Sequence, residues 1–217
     1  MCAYLNQEIS KKTPDTAAYI EQIKKEILAS KIAIKSCDIN LSGDRYRAID
    51  KKTIITGLNA VDGVGDVAIS HIFAGQPYNS FADFIYRSPS SVNRKTIVSL
   101  AKAGAFDGFG ISRRWISETF AEEKRAKQLR SKINALGDKA VEGGLEAKNI
   151  DWSAFDYLST TEEVSREWSR KDILMAEKEV IGEFVSGSAE EVFGGFFRNV
   201  QNPFTRAQLS SLPNYHK

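Results

Sequence analysis

The stretches Asp62-Gly63-Val64-Gly65 and Asp107-Gly108-Phe109-Gly110 decide the fold of this 217-residue chain. Both read Asp-Gly-apolar-Gly, and each lies between two segments with helix-like patterns. A Gly-x-Gly hairpin that leads into a helix exposes backbone N–H groups at the helix N-terminus, where a phosphate group can bind. One copy is a weak signal. Two copies 45 residues apart predict a duplicated element that holds a polyphosphate backbone at two points.

In the first hairpin, Gly63 and Gly65 allow a tight turn and a close approach of the backbone to a ligand, because they carry no Cβ. The amides from Val64 to Val67 would then face a phosphate oxygen, aided by the positive end of the following helix. Such contacts ignore base identity, so binding should be independent of base sequence and sensitive to salt. Asp62 and Asp66 weaken this hypothesis because carboxylates repel phosphate. The alternative is an ordinary glycine turn between packed helices.

The second hairpin, Gly108-Phe109-Gly110, has the more favourable charges. Arg113 and Arg114 lie in the first turn of its outgoing helix, where guanidinium groups can contact backbone phosphates. The incoming helix adds Arg94, Lys95 and Lys102. For each of these cations, the alternative role is a solvated helix face. The sequence therefore predicts that the second hairpin makes the stronger contact.

Hydrophobic periodicity indicates a mainly α fold with minor β structure. Helical spacing covers 16–30, 93–103 and 172–181, with Ser80 and Ser112 as candidate N-caps. The helix that Ser112 starts should continue over 121–135. Short extended segments are expected within 32–40 and 45–56. Residues 137–149 are predicted to form a flexible loop, and residues 159–162 resemble a capping box.

These patterns divide the chain into four parts. An N-terminal helical and extended part covers 1–56, and the paired hairpins cover 57–120. A helical C-terminal part covers 121–191, and a tail or linker covers 192–217. Charge is uneven: residues 1–150 hold 23 Lys and Arg against 17 Asp and Glu, whereas residues 151–217 hold 7 against 11. A basic portion that carries the hairpins is consistent with binding to nucleic acid. The alternative is uneven surface charge without a partner.

Composition argues against several classes of protein. No run approaches the length of a membrane span, and the start of the chain lacks a signal-peptide pattern, so we expect a cytoplasmic protein without a membrane partner. Cys2 and Cys37 form no Cys-x-x-Cys pair, and His71 and His216 are the only imidazoles, so a zinc site is not expected. No catalytic motif or carboxylate dyad stands out. We predict no catalytic residue, no metal site and no cofactor within this chain.

Several phrases resemble the fingers region of the bacterial replicative DNA polymerase III alpha subunit, a C-family polymerase. They span about residues 3–190 in the family's order, with 121–170 unmatched. The matching phrases are Asp38-Ile39-Asn40-Leu41-Ser42, residues 57–65 (GLNAVDGVG), Val92-Asn93-Arg94-Lys95, residues 102–107 (KAGAFD) and residues 177–182 (EKEVIG) with Ser186-Gly187. The resemblance implies a helical fingers module with tandem helix–hairpin–helix motifs that contacts the backbone of duplex DNA.

The sequence also departs from the family. Asp62 stands where the family usually has lysine, and Ser188-Ala189 replaces a His-Pro pair. The resemblance implies that the palm, with its metal-binding aspartates and magnesium, lies outside this stretch, so we expect no polymerisation by this chain alone. It would be an excised piece, one half of a split polymerase with a separate palm polypeptide, or a viral relative. A non-catalytic protein that docks on a polymerase or another host enzyme is the second hypothesis. Residues 208–212 (QLSSL) loosely resemble a sliding-clamp-binding peptide, for which a disordered tail is the alternative.

Overall fold

A computed structural model describes residues 6–7, 22–24, 26–27, 29–153 and 162–199 of the chain. Its strands are β1 (Ala33–Lys35), β2 (Arg47–Asp50) and β3 (Thr53–Ile55). Its helices are α1 (Asp66–Gly75), α2 (Phe81–Arg87), α3 (Arg94–Lys102), α4 (Arg113–Ala121), α5 (Glu123–Glu142), α6 (Glu162–Ser165), α7 (Arg170–Ile181) and α8 (Ala189–Asn199). Single 3₁₀ turns cover Leu58–Ala60, Asp107–Phe109 and Ala147–Asn149. The expected mainly α class with minor β structure is confirmed.

The strands form one small sheet in the order β1-β3-β2. Strand β3 pairs in parallel with β1 and antiparallel with β2. The predicted extended region 45–56 thus holds two strands. A separate small core lies at this sheet and contains Ile23, Ile27, Tyr46 and Ile54. Ile23 and Ile27 belong to the helix predicted over 16–30, whose described residues up to Ala29 are helical. Most of that predicted helix lies outside the described residues.

The main core lies among helices α1 to α5 and is rich in phenylalanine. The ring of Phe81 meets those of Phe106 and Phe120 edge-on, with centroids 5.0 and 5.9 Å apart, and Phe84 lies 5.0 Å from Phe106. Edge-to-face packing at these distances is favourable for aromatic rings. Because Phe81 and Phe84 come from α2, Phe106 from the second hairpin and Phe120 from α4, the cluster fixes the second hairpin against both helices.

Helix boundaries follow local capping chemistry. Ser80, Asn93, Ser112 and Ser169 each accept a hydrogen bond from a backbone amide in the first turn of α2, α3, α4 and α7. The predictions of Ser80 and Ser112 as N-caps are therefore confirmed. Helix α1 differs, because its N-cap is Gly65, which has no side chain to accept those amides. The amides in the first turn of α1 therefore have no acceptor from a capping side chain, and they are part of the candidate site.

The prediction of a loop over 137–149 is wrong for its first part, because α5 continues to Glu142. Gly137 reads as a helix breaker in the sequence, yet it is buried in α5 against the ring of Tyr86. A Cβ at this position would overlap that ring, so glycine is required here for packing rather than for a turn. The preceding helix is also not continuous: α4 ends at Ala121, and Glu122 has extended backbone angles before α5 begins.

The C-terminal part contains a helix that the sequence pattern did not predict. Helix α8 runs across the predicted boundary at residue 191, and Val192 is buried. The predicted capping box at 159–162 and the tail residues 208–212 lie outside the described residues, apart from Glu162. None of the helices in the described part of the chain combines the length and apolar character that a membrane span requires.

Candidate nucleic-acid interface

The first hairpin lies between the 3₁₀ turn at Leu58–Ala60 and helix α1. Gly63 adopts a φ of +81°, a left-handed conformation that favours glycine. A methyl group added there would lie 2.9 Å from Ser99 Oγ and 3.3 Å from Lys95 Cε, so the hairpin lies directly on α3. The Thr96 hydroxyl donates to the Gly63 carbonyl at 3.1 Å. These contacts hold the Gly63 backbone rigidly beside Lys95.

The N-terminus of α1 is open. Gly65 is exposed, has extended angles of φ −82° and ψ 160°, and has no atom within 4 Å of the place a Cβ would occupy. Asp66 and Val67 in the first turn are also exposed, whereas Val61 and Val64 face the core. The Val64 amide donates within the turn, to Val61 O at 3.3 Å. The Val64 amide is therefore occupied, and the amides that remain open to a ligand are those in the first turn of α1.

Lys95 and Arg94 bring positive charge to this hairpin. Lys95 is exposed, its side chain runs along Gly63, and it makes no ion pair with any residue that the structure describes. Arg94 is half-exposed; it donates to Ala121 O at 3.2 Å, and its guanidinium lies 3.8 Å from the carboxylate of Glu123. Among the predicted cations, Lys95 is thus brought to the first hairpin rather than to the second.

The second hairpin is closed by internal partners. Phe109 N and Gly110 N donate to Phe106 O and Asp107 O, at 2.9 and 3.0 Å. Glu167 is the decisive residue: its carboxylate accepts from Arg113 N at 2.7 Å and from Arg114 N at 3.1 Å. A carboxylate thus already occupies the N-terminus of α4, where a phosphate was expected, because the amides and the helix dipole attract any anion.

Arg113 is the clearest correction to the sequence-based site, because it is buried rather than available to a ligand. Only 7% of it is exposed, and its guanidinium donates to both carboxylate oxygens of Asp107, at 2.9 and 2.6 Å, and to Glu177 at 2.9 Å. Burial opposes its charged form, but the hydrogen bonds and charges of Asp107 and Glu177 outweigh burial and raise its pKa above the ordinary value. The guanidinium of Arg113 is therefore held by carboxylates within the fold instead of facing solvent.

Glu177 completes this buried network. Its side chain is fully buried and also accepts the amides of Val185 and Ser186, at 3.1 and 2.9 Å. Gly104 belongs to the same arrangement: it has a φ of +84°, and a Cβ there would overlap the guanidinium of Arg113. The network joins α3, α4 and α7, and it accounts physically for two of the phrases noted in the sequence, 102–107 and 177–182.

The other two predicted cations near the second hairpin are also paired. Lys102 contacts both carboxylate oxygens of Glu179, at 2.6 and 2.7 Å, and Arg114 donates to Glu118 at 2.8 Å. The sequence pattern did not identify Glu167 as a functional residue, because it lies 54 residues from the amide that it accepts. In the described part of the chain, no cluster of His, Cys, Asp or Glu is arranged to hold a metal ion.

Comparison with known proteins agrees with this architecture. A profile described as "Helix-hairpin-helix motif" matches residues 31–116, which include both hairpins. The chain is 30% identical to DNA polymerase III subunit alpha of Borreliella burgdorferi over 199 residues, which cover 86% of the chain and 16% of that protein. It is also 30% identical to the same subunit of Treponema pallidum, over 86% of the chain and 15% of the relative.

A relative from a virus is similar as well. A protein named DNA-directed DNA polymerase from Bacillus phage SPbeta is 32% identical over 135 residues, which cover 59% of the chain and 10% of the phage protein. The chain thus spans about a sixth of the length of the curated relatives that it matches over 86% of its own length. Its tandem hairpins, the profile match and these relatives agree, and the chain therefore carries a helix–hairpin–helix region of the DNA polymerase III alpha subunit family.

Proposed function

We propose that this region binds the backbone of duplex DNA without regard to base sequence, as part of a DNA polymerase III alpha-like replicative polymerase. The open N-terminus of α1, with Lys95 lying along Gly63, carries the proposal. The family resemblance supports replication as the setting, since the relatives are named as DNA polymerases.

The first hairpin offers what a phosphate group needs. Amides of the first α1 turn point away from the helix with no capping side chain, and the helix dipole adds about half a positive charge there. Lys95 supplies a full charge beside them. Amides and lysine contact phosphate oxygens rather than base edges, so this contact positions DNA and does not read its sequence.

The nearby carboxylates set the expected strength. Asp62 and Asp66 are both exposed at this hairpin, so they repel phosphate and oppose Lys95. We expect weak binding, in the range of about 10⁻⁴ to 10⁻⁶ M that is typical of contacts without base readout at physiological salt. Because exposed charges are screened, affinity should fall steeply as salt rises.

The second hairpin serves as the scaffold in this proposal. Its helix N-terminus holds Glu167, and Arg113 is buried between Asp107 and Glu177, so neither is available to DNA. A docking protein without DNA binding is the second candidate function, and the filled α4 N-terminus favours it. If the palm lies on a separate polypeptide, that polypeptide would be a partner of the DNA-binding region, and any magnesium would belong to the palm. The docking protein would instead bind a polymerase or another host enzyme.

Gly65 provides a direct test. In Gly65→Asp the new side chain has room, and aspartate is a strong N-cap that would itself accept the α1 amides. Helix α1 should become more stable while DNA binding is lost. Gly65→Ala is the matched control, because it fills the same space without an acceptor or a charge, and it should keep DNA binding. The measurement is fluorescence anisotropy with two 20-base-pair duplexes of unrelated sequence at low salt.

A second pair of variants tests the charge. Lys95→Gln should weaken binding and lower the slope of log affinity against log salt by about 0.9, the value for one phosphate contact. Lys102→Gln, on the same helix but paired with Glu179, should leave both unchanged. Binding that survives Gly65→Asp, or that depends on Lys102 as strongly as on Lys95, would contradict the assignment. No binding by the wild-type chain, together with a stable complex with a polymerase polypeptide, would favour the docking protein.

A further inference from the structure

Helix α5 carries a run of positive charge. Residues 124–137 (KRAKQLRSKINALG) contain five Lys and Arg and no Asp or Glu. Surface helices commonly interleave opposite charges at i and i+4, since each such pair stabilises the helix by a few tenths of a kcal/mol. No such pair can form within residues 124–137, so any cation of this run without a carboxylate partner outside it is a candidate to contact a partner of opposite charge.

Three of these five cations have roles within the fold. Arg125 and Lys127 pair with the two carboxylates that precede the run, Glu122 at 2.8 Å and Glu123 at 2.7 Å. Arg130 is half-buried, donates to a backbone carbonyl before α3 at 3.0 Å and lies over the ring of Phe120. The contacts of Arg130 fix α5 against the start of α3 and against α4, whereas the pairs of Arg125 and Lys127 are local to the start of α5. Lys124 and Lys132 remain.

The remaining lysines share one face. Lys124 and Lys132 are exposed, and so is Lys139, which follows Lys132 by seven residues. Within the described part of the chain, none of the three makes an ion pair. Spacings of eight and seven residues place them on the same side of α5, and the rise of 1.5 Å per residue separates the outer two by about 22 Å. We call Lys124, Lys132 and Lys139 the lysine face.

The surface between these lysines suits a polyanion. Gln128 and Ala135 lie between them and are exposed, and no carboxylate lies between the lysines on this side of α5; exposed Glu142 lies on the same side at the end of the helix. One strand of duplex DNA presents a phosphate about every 3.4 Å along the axis, so 22 Å corresponds to about six phosphates. Three charges spread over that length match an extended row of phosphates better than a compact ligand.

We propose that the lysine face of α5 is a second contact for the phosphate backbone of duplex DNA. This inference rests on the proposed function and extends it beyond the first hairpin. The two contacts lie near each other, because Arg94, the neighbour of Lys95 on α3, reaches Ala121 at the end of α4 and Glu123 at the start of α5. One duplex can therefore follow the surface from the first hairpin along α5.

The test compares two triple variants with the same change in net charge. Lys124→Gln/Lys132→Gln/Lys139→Gln removes the lysine face, and helix α5 should persist because glutamine and lysine have similar helix propensities. The control is Lys35→Gln/Lys51→Gln/Lys52→Gln, at exposed positions on the small sheet. Affinity for a 20-base-pair duplex is measured against salt by anisotropy, and far-UV circular dichroism confirms the helix content of each variant.

We expect the lysine-face variant to lower the slope of log affinity against log salt by about 2.7, since each phosphate contact contributes about 0.9. The control should keep the wild-type slope. An unchanged slope in the lysine-face variant, while Gly65→Asp abolishes binding, would overturn this inference and leave the first hairpin in place. Equal losses in both triple variants would also overturn it, because net charge alone would then explain the effect.

Two further outcomes are decisive. If the wild-type chain binds no duplex, both this inference and the proposed function fail. Polyglutamate serves as a probe for an acidic protein partner. If the lysine-face variant loses polyglutamate binding and keeps DNA binding, the surface belongs to an acidic protein and the inference is overturned.

Discussion

Replacing Arg113 by alanine should destabilise the fold strongly, because it leaves a buried carboxylate without its cation. The Glu177 side chain is fully buried, and its ion pair with Arg113 measures 2.9 Å. Removing one partner of a buried pair costs about 3–5 kcal/mol. Glu177 keeps two amide donors, from Val185 and Ser186, which places the expected cost near the lower end, at about 3 kcal/mol. Loss of the ion pair with Asp107 adds little to this cost, since the Asp107 side chain is half-exposed.

The assay is urea or thermal unfolding followed by circular dichroism. A loss of about 3 kcal/mol lowers the melting temperature of a chain of this size by about 10 °C, at about 2–4 °C per kcal/mol. Arg125→Ala is the control: its ion pair with Glu122 is half-exposed on both sides, so its removal should cost less than about 1 kcal/mol. A second variant, Arg113→Ala/Glu177→Gln, removes the unpaired charge and keeps acceptors for the amides.

The double variant should be more stable than Arg113→Ala alone by about 1–2 kcal/mol, since the uncompensated charge is the main cost. The reasoning is refuted if Arg113→Ala costs no more stability than Arg125→Ala. It is also refuted if the double variant Arg113→Ala/Glu177→Gln is no more stable than Arg113→Ala alone. This prediction also affects the design of DNA-binding experiments. Loss of binding in an Arg113 variant would report loss of the fold, so Lys95 and Gly65 are the informative positions.

Two further predictions concern packing and protonation. Gly137→Ala should destabilise the protein by about 1–3 kcal/mol, because the new methyl group overlaps the ring of Tyr86. Helix propensity alone predicts the opposite, a stabilisation of about 1 kcal/mol. A higher melting temperature in the variant would therefore contradict the packing argument. Burial raises the pKa of the Cys37 thiol to about 12, so the folded state keeps this proton above pH 9, where the unfolded state loses it. The free energy of unfolding should therefore fall as pH rises from 9 towards 12. Urea unfolding from pH 8 to 11 should therefore be less pH-dependent in Cys37→Ala than in wild type, and equal slopes would exclude this coupling.

Local signals account for most of what could be predicted from the sequence. Helix starts at Ser80 and Ser112 depend on side chains within three residues of the amides that they accept, so the pattern reveals them. The inward direction of Val61 and Val64 likewise follows from the spacing of apolar residues. The fold class and the family resemblance rest on such short-range phrases, and the comparisons with known proteins agree with both.

Local signals misled where the decisive partner is distant. Gly137 looks like a breaker because its neighbour Tyr86, 51 residues earlier, is invisible to a local pattern. Helix α8 escaped prediction because glycines interrupt its sequence. In both places the packing of the folded chain overrides the local preference.

The sequence by itself determined that two glycine hairpins stand before two helices, and that basic residues surround them. It could not determine which hairpin is open, because that depends on partners far along the chain. Glu167 and Glu177 lie 54 and 64 residues from Arg113, and only the folded chain brings them to the second hairpin. A helix N-terminus attracts any anion, so an internal carboxylate fills one site and leaves the other, beside Lys95, open.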